Sequence, residues 1–175
     1  MANREALREL QTRLAARLQA ARGEGVSVSS WLAVESAGRR FLLPLGQSGE
    51  IFPWAGVQAV PYTHAWFLGV ANLRGSLIGV VDLAGLLGLP SHRTEQALAD
   101  ASLLAFNAVL DVNAALLVDR LAGLRGTEAF VSSEPPAEDA PPFYGTTYLD
   151  SQGVQWQELN LQALSQHPAF LSISA

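Results

Sequence analysis

The sequence predicts a mainly β fold with one long helix at its start, and three observations carry that prediction. Nine prolines and 15 glycines are spread along the chain, which calls for many turns. From Val28 onward, apolar residues recur at a spacing of two rather than three or four. The segment FLGVANLRGSLIGVVDLAGLLG, Phe67 to Gly88, is apolar on both faces of any strand it forms, as a sheet covered on both sides requires.

The elements follow in order. Leu7, Leu10, Leu14 and Leu18 fall three and four apart, so residues 2–22 read as an amphipathic helix, stopped by Gly23-Glu24-Gly25. That helix either packs its leucine stripe on the body or docks a partner with it. Val28, Ser30, Leu32 and Val34 alternate as a strand, and residues 40–45 pair with it as a hairpin through 35–39. Pro53 and Gly56 interrupt 51–60, which is an irregular edge segment or a bulged strand. Two strands, about 67–72 and 76–82, meet at a turn containing Gly75, and 84–87 form a helical turn. On simple alternation, Leu68 and Val70 face one way while Phe67, Ala71 and Leu73 face the other. Residues 91–99 read as a polar linker.

Strands resume at about 102–110 and 114–118, and 120–125 extend into another strand or bend. SSEPPAEDAPP, Ser132 to Pro142, holds four prolines and three acids and reads as an exposed loop, partly polyproline II. Residues 144–149 and 154–159 form a last hairpin, 161–166 a helical turn, and 170–173 a tail or a short edge strand. GVVDL at Gly79–Leu83 echoes ALLVDR at Ala115–Arg120, which suggests two similar β units.

Composition narrows function mainly by exclusion. The 175 residues suit one domain with a sizeable core. The net charge of −5 argues against nucleic acid as a partner. Every basic side chain is arginine, so lysine chemistry is impossible, and without cysteine there is no thiol nucleophile or disulfide. MANREALREL lacks the apolar core of a secretory signal, and no run of about 18 apolar residues occurs. The expectation is a cytoplasmic protein with no direct membrane insertion.

Candidate chemistry is sparse. His64, His92 and His167 lie in separate loops without metal-ligand spacing, so no metal is expected. Phosphate-cradling glycine motifs and the nucleophile-elbow motif are missing, and no cofactor is expected. Asp82 and Asp119 each end a strand, where an aspartate accepts backbone N–H bonds; Asp82 suits the cap of the helical turn after it. Trp31, Trp66 and Trp156 read as core. Ile51, Phe52 and Trp54 crowd a proline-broken edge, where exposure would mark a partner surface. Arg74 at the central turn is either a turn lock or a polar anchor within an apolar contact.

GVANLRGSLIGVVDLAGLLG resembles the signature of CheW-like chemotaxis coupling domains: a G-V-x-N-L-R-G turn, then V-x-D-L and L-L-G. VPYTHAWFL resembles the lead-in loop of that family. ALLVDRLAGLRG resembles its second-unit strand, and YLDSQGVQWQELNLQALSQHPAFL its terminal hairpin and helix. The resemblance runs from about Val28 to Phe170. The long initial helix and HPAFL look most like the PilI branch, which serves type IV pilus twitching motility.

The resemblance implies two intertwined SH3-like five-stranded β-barrels, no catalysis, and a domain over 26–173 preceded by a helix over 1–23. The barrels would occupy roughly 40–90 and 100–160. The implied partners are a methyl-accepting chemotaxis receptor and the regulatory domain of a CheA-type histidine kinase, at membrane-associated receptor arrays. Asn72, Leu73, Arg74 and Gly75 match the critical turn, Leu77 matches a position at the receptor groove, and Val70 lies beside it. Ile51, Phe52 and Trp54 fall where the kinase-facing strand is expected, although EIFPWAGV departs from the usual V-x-E-I pattern there. A flagellar-type coupling protein and a small-ligand β-barrel are the alternatives.

Overall fold

The structure, a computed structural model, describes residues 2–23, 30–90 and 92–175; the start of the first predicted strand, 26–29, lies outside the described residues. A long helix α1 (Ala2–Gly23) is followed by β1 (Ser30–Ser36), β2 (Arg39–Pro44) and β3 (Ser48–Pro53). Next come β4 (Phe67–Leu73), β5 (Ser76–Asp82), α2 (Leu83–Leu86) and α3 (Glu95–Asp100). Then follow β6 (Ser102–Phe106), β7 (Ala114–Val118), β8 (Arg120–Gly126) and β9 (Phe130–Glu134). The chain ends with β10 (Tyr144–Asp150), β11 (Gln155–Leu159), α4 (Leu161–Gln166) and α5 (Pro168–Leu171). The fold is mainly β, as the period-two patterning predicts.

The strands form a six-stranded sheet, β8-β1-β2-β11-β10-β9, and a five-stranded sheet, β3-β6-β7-β5-β4. These two sheets, of six and five strands, carry the mainly β architecture that the resemblance to CheW-like domains implies. The five-stranded sheet curls until its two ends meet. There Gln58, just past β3, exchanges a pair of backbone hydrogen bonds with Val70 of β4, at 2.8 and 2.9 Å.

The sheets do not follow the sequential split 40–90 and 100–160. Residues 30–44 lie with 120–159, and 102–118 lie with 48–82. The cause is a pair of parallel contacts, β5 with β7 and β2 with β11, since parallel neighbours need long crossover connections that weave the chain. The GVVDL and ALLVDR echo belongs to one of these contacts. Gly79 to Asp82 lie in register with Ala114 to Leu117, side by side in one sheet rather than in two similar units.

Alternation along the strands divides the core into three. Ala71, Leu73, Val80, Leu103, Ala115 and Leu117 occupy the interior of the curled sheet. Their sequence neighbours Val81, Leu104 and Leu116 face the other way, against Leu32, Val34, Phe41 and Leu43 of the six-stranded sheet. The second apolar face of the central hairpin is thus covered mostly by the chain itself. Trp31 and Trp156 are buried on the far side of the six-stranded sheet with Phe130 and Tyr148, whereas Trp66 is half-buried against the central core.

Phe67 departs from simple alternation. A bulge between Phe67 and Gly69 shifts the register, so Phe67 packs on the central core and not with Ala71 and Leu73.

Three further expectations change. The linker 91–99 contains α3, started by Thr94, whose hydroxyl accepts the Ala97 N–H at 3.1 Å. β9 reaches into the predicted proline-rich loop, because Ser132 and Ser133 pair with Leu149 and Tyr148 before Pro135 ends the ladder. The tail contains α5, with Pro168 in its first turn and Phe170 buried against Phe106.

At the turn between β10 and β11, Asp150 accepts hydrogen bonds from the Val154 N–H, the Trp156 indole and the Gln152 N–H. These donors hold its carboxyl below the usual carboxylate range, the Val154 N–H contributing most. A lowered folded-state value adds stability above the ordinary carboxylate pKa of about 4, and that stability is lost as pH falls through the lowered value. Asp150→Asn should therefore flatten the acid limb of a thermal-midpoint profile measured below about pH 5.

Candidate partner-binding site

β4 and β5 are joined by a two-residue turn, since Leu73 pairs with Ser76. Arg74 and Gly75 both take positive φ, 51° and 78°, as a primed hairpin turn demands. Asparagine or glycine is the usual choice at the first of these positions, so an arginine there adopts an uncommon backbone. Its guanidinium Nη2 pairs with Glu50 Oε1 of β3 at 2.7 Å, while the side chain stays 74% exposed. The pair joins the two outer strands of the five-stranded sheet. Arg74 is thus both a lock across the curled sheet and a cation open to solvent.

β5 meets β7 only from Gly79 onward, so the β4–β5 turn runs past β7, although Leu73 stays buried inside the curled sheet. Leu77 shares the side of Val81 but lies beyond the residues that cover Val81, and it is 67% exposed. Asn72 pairs with Leu77 across the hairpin and is exposed. The tip therefore gathers Asn72, Arg74, Gly75 and Leu77, with half-buried Val70 further back. Beside it a groove runs between the hairpin and β3–β6, bordered by Glu50, Phe52, Leu73, Ile78 and Asn107.

The remaining candidates behave differently. Ile51 is 7% exposed and belongs to the central core, so it is unavailable to a partner. Its side points inward because β3 alternates normally from Ile51 to Pro53. Phe52 and Trp54 are half-buried against the interior of the curled sheet, and no exposed three-residue patch forms.

Helix α1 lies against β3 and reaches β8. Leu14 is 4% exposed within the central core, and Leu7 is half-buried. Leu10, expected in the same stripe, is 45% exposed, and Gln11 is buried instead with its amide donating to Ser102 Oγ at 2.6 Å. The Leu18 side chain lies outside the described residues.

Sequence reasoning missed the charged centre of the molecule. Arg93, within the predicted linker, pairs through Nη1 with Asp82 Oδ2 at 2.9 Å and through Nε with Asp119 Oδ1. The second Asp119 oxygen accepts the Ala37 N–H at 2.8 Å, in the β1–β2 turn. One guanidinium therefore ties the end of β5, the β7–β8 junction and the β1–β2 turn. Burial works against its charge, but the two carboxylates outweigh that and raise its pKa above the ordinary arginine value. Asp82 does start α2, yet its side chain makes no capping bond; the carboxylate goes to Arg93 instead. Two echoed strand-ending aspartates were the available signal. Both converge on the one guanidinium of Arg93, which leaves the three-residue cluster with a net negative charge. Among the described residues no group of three or more histidines and acids could hold a metal ion.

A family model described as the CheW-like domain matches residues 30–169. The chain belongs to the CheW-like domain family. It is 33% identical over 168 residues to a protein named PilI from Pseudomonas aeruginosa, covering 93% of this chain and 89% of that one. A probable chemotaxis protein CheW from Rhizobium etli is 34% identical over 58 residues, 33% of this chain and 37% of that protein. The fold matches the crystal structure of the scaffolding protein CheW from Thermoanaerobacter tengcongensis with a TM-score of 0.66. That match covers 81% of this chain and 95% of the other, at 18% identity. Within this CheW-like domain, Asn72, Arg74 and Gly75 of the NLRG turn are exposed while Leu73 is buried.

Proposed function

We propose that this CheW-like protein couples a methyl-accepting chemotaxis receptor to the regulatory domain of a CheA-type histidine kinase, in a system controlling type IV pilus twitching. It acts by binding alone, beside the membrane at receptor arrays. Among the described residues no helix is long and apolar enough to cross a membrane. The observation that carries this reading is the hairpin tip. A solvent-open arginine and an exposed leucine sit at a hairpin turn that runs past β7, backed by a sheet whose own apolar faces are occupied. Arginine beside apolar surface is a favoured anchor in protein contacts. Likeness to PilI over nearly the whole chain favours the pilus system over the flagellar one. A small-ligand barrel is disfavoured because side chains fill the curled sheet.

Arg74→Ala tests the reading. The Arg74–Glu50 pair is largely exposed, so its loss should cost no more than about 1 kcal/mol of stability. Affinity for the receptor tip or the kinase regulatory domain should fall about tenfold or more, as for a polar anchor inside an apolar contact. Titration of both partners, with a parallel thermal melt, checks this. Unchanged affinity for both would remove the tip from the interface.

A further inference from the structure

We propose that the cleft between the starts of β2 and β11 binds a small organic phosphate, its phosphate between Arg39 and Arg40 and its body along Tyr144 and Leu89. The inference does not depend on the coupling reading. β2 and β11 pair in parallel only at Phe41 with Gln157 and Leu42 with Glu158. Ahead of those pairs the strands part. A cleft of about 730 Å³ opens there, bordered by Gly38 of the β1–β2 turn and Gly153 of the β10–β11 turn. Small-molecule sites span about 300–1,000 Å³. A Cβ at either glycine would meet nothing within 4 Å, so the mouth is open on both sides. The cleft shares no residue with the hairpin tip or with the groove beside it.

Charge selects the occupant. Residues 30–175 carry six arginines against 13 acids. Two of those arginines line this cleft and, among the described residues, no acid does. By alternation Arg39 shares the side of Phe41 and Arg40 the opposite one, so the two guanidiniums flank the gap. Arg39 is exposed and pairs with no carboxylate among the described residues. Arg40 meets Glu35 at 3.3 Å, and Glu35 is shared with Arg120. The other carboxylates nearby are engaged. Asp119 meets Arg93 and the Ala37 N–H, and Asp150 is held by its own turn. An anion is therefore the occupant that the cleft favours.

The uncharged groups narrow its chemistry. The Tyr144 hydroxyl has no hydrogen-bond partner among the described residues. Burial raises its pKa against the pull of Arg39, so it stays a proton donor at neutral pH. Gln155 is exposed, and its amide is likewise unpartnered among the described residues. Gln157 is already spent: its amide donates to the Gly145 carbonyl at 2.9 Å and accepts the Thr147 hydroxyl at 3.0 Å. Guanidinium, phenol and amide donors thus approach from several directions. A tetrahedral phosphate has acceptors for all of them, whereas one guanidinium fork satisfies a planar carboxylate. The Tyr144 ring and Leu89 are half-buried against the central core and offer an apolar wall to the rest of the ligand.

The test titrates the full chain with phenyl phosphate, inorganic phosphate and benzoate, followed by amide chemical shifts. Phenyl phosphate should bind about fivefold or more tighter than either of the others, and the shifts should centre on residues 38–41 and 153–157. Arg39→Ala should weaken it about tenfold or more and Tyr144→Phe about fivefold. Arg39→Ala should melt with the parent chain, because Arg39 is exposed and outside any ion pair among the described residues. No shift with any probe at millimolar concentration overturns the inference. Affinity unchanged in both variants places the anion elsewhere and overturns it too. Inorganic phosphate or benzoate binding as tightly as phenyl phosphate reduces the cleft to a general anion patch and overturns the assigned ligand class. Binding to phosphatidylglycerol vesicles without binding of phenyl phosphate assigns the arginines to a lipid surface and overturns it as well. In each case the coupling reading stands or falls separately, on the hairpin tip.

Discussion

Arg93→Ala should destabilise the fold by about 3–5 kcal/mol, the cost of removing one partner from a buried ion pair. The Arg93 and Asp82 side chains are 11% and 9% exposed, so water cannot easily replace the lost cation. Asp119 loses its partner at the same time, and its remaining bond to the Ala37 N–H does not balance its charge. At roughly 2–4 °C per kcal/mol for a chain of this size, the thermal midpoint should fall by about 6–20 °C. Lysine at position 93 should rescue little, since one ammonium cannot present the fork that meets two carboxylates. The discriminating comparison is Arg93→Met combined with Asp82→Asn and Asp119→Asn. Removing all three charges together should cost less than removing the arginine alone, because no buried charge is left without a counter-ion. Denaturant unfolding of the four proteins measures this. A loss under about 1 kcal/mol for Arg93→Ala would mean that the three joined segments hold without the clamp.

The same cluster shows where reading along a chain stops. The hairpin over 67–82 was legible because its signals are local: period-two apolar residues, a glycine at the turn, and two strands of matched length. Its tip was picked out chiefly through the resemblance, which named Asn72, Arg74, Gly75 and Leu77, and the structure places all four at the surface. Arg93 was not, because an ion pair across 26 residues of sequence leaves no periodic trace. Nothing local distinguishes it from the solvent-facing arginines of α1. Ile51 illustrates a second limit. The segment 51–60, expected as an irregular edge or bulged strand, instead begins inside β3 (Ser48–Pro53), and which side of β3 meets the core depends on tertiary contacts with β6 and α1. The woven sheets illustrate a third. Both parallel contacts join segments more than 30 residues apart, so the halves of the chain exchange strands without any local signal. α1 was legible as a helix, yet its choice of Gln11 over Leu10 for burial depended on Ser102 across the molecule.

Gly69→Ala should cost about 3 kcal/mol or more, combining a backbone conformation open essentially to glycine with overpacking of the interior. Gly69 has φ of 138°, and a Cβ built there lies 2.1 Å from the Gln58 carbonyl oxygen and 2.7 Å from its carbon. Neither atom belongs to a flexible side chain, so the collision can be relieved only by moving backbone. That backbone is the Gln58–Val70 bridge which brings the ends of the five-stranded sheet together. Gly75→Ala is the natural control. Gly75 also has positive φ, 78°, but a Cβ there meets nothing within 4 Å. It should therefore cost only the left-handed backbone strain of about 1–2 kcal/mol. The ordering of the two melts, Gly69→Ala well below Gly75→Ala, is the expected result. Equal midpoints would show that the segment around Gln58 yields freely and does not hold the sheet closed. If the bridge does hold it, hydrogen exchange in Gly69→Ala should quicken first at Val70 and Gln58, before the β6–β7 ladder. The hairpin that carries Arg74 and Leu77 would then lose partner affinity without any change in its own tip, because its base is no longer anchored to the strand bearing Glu50.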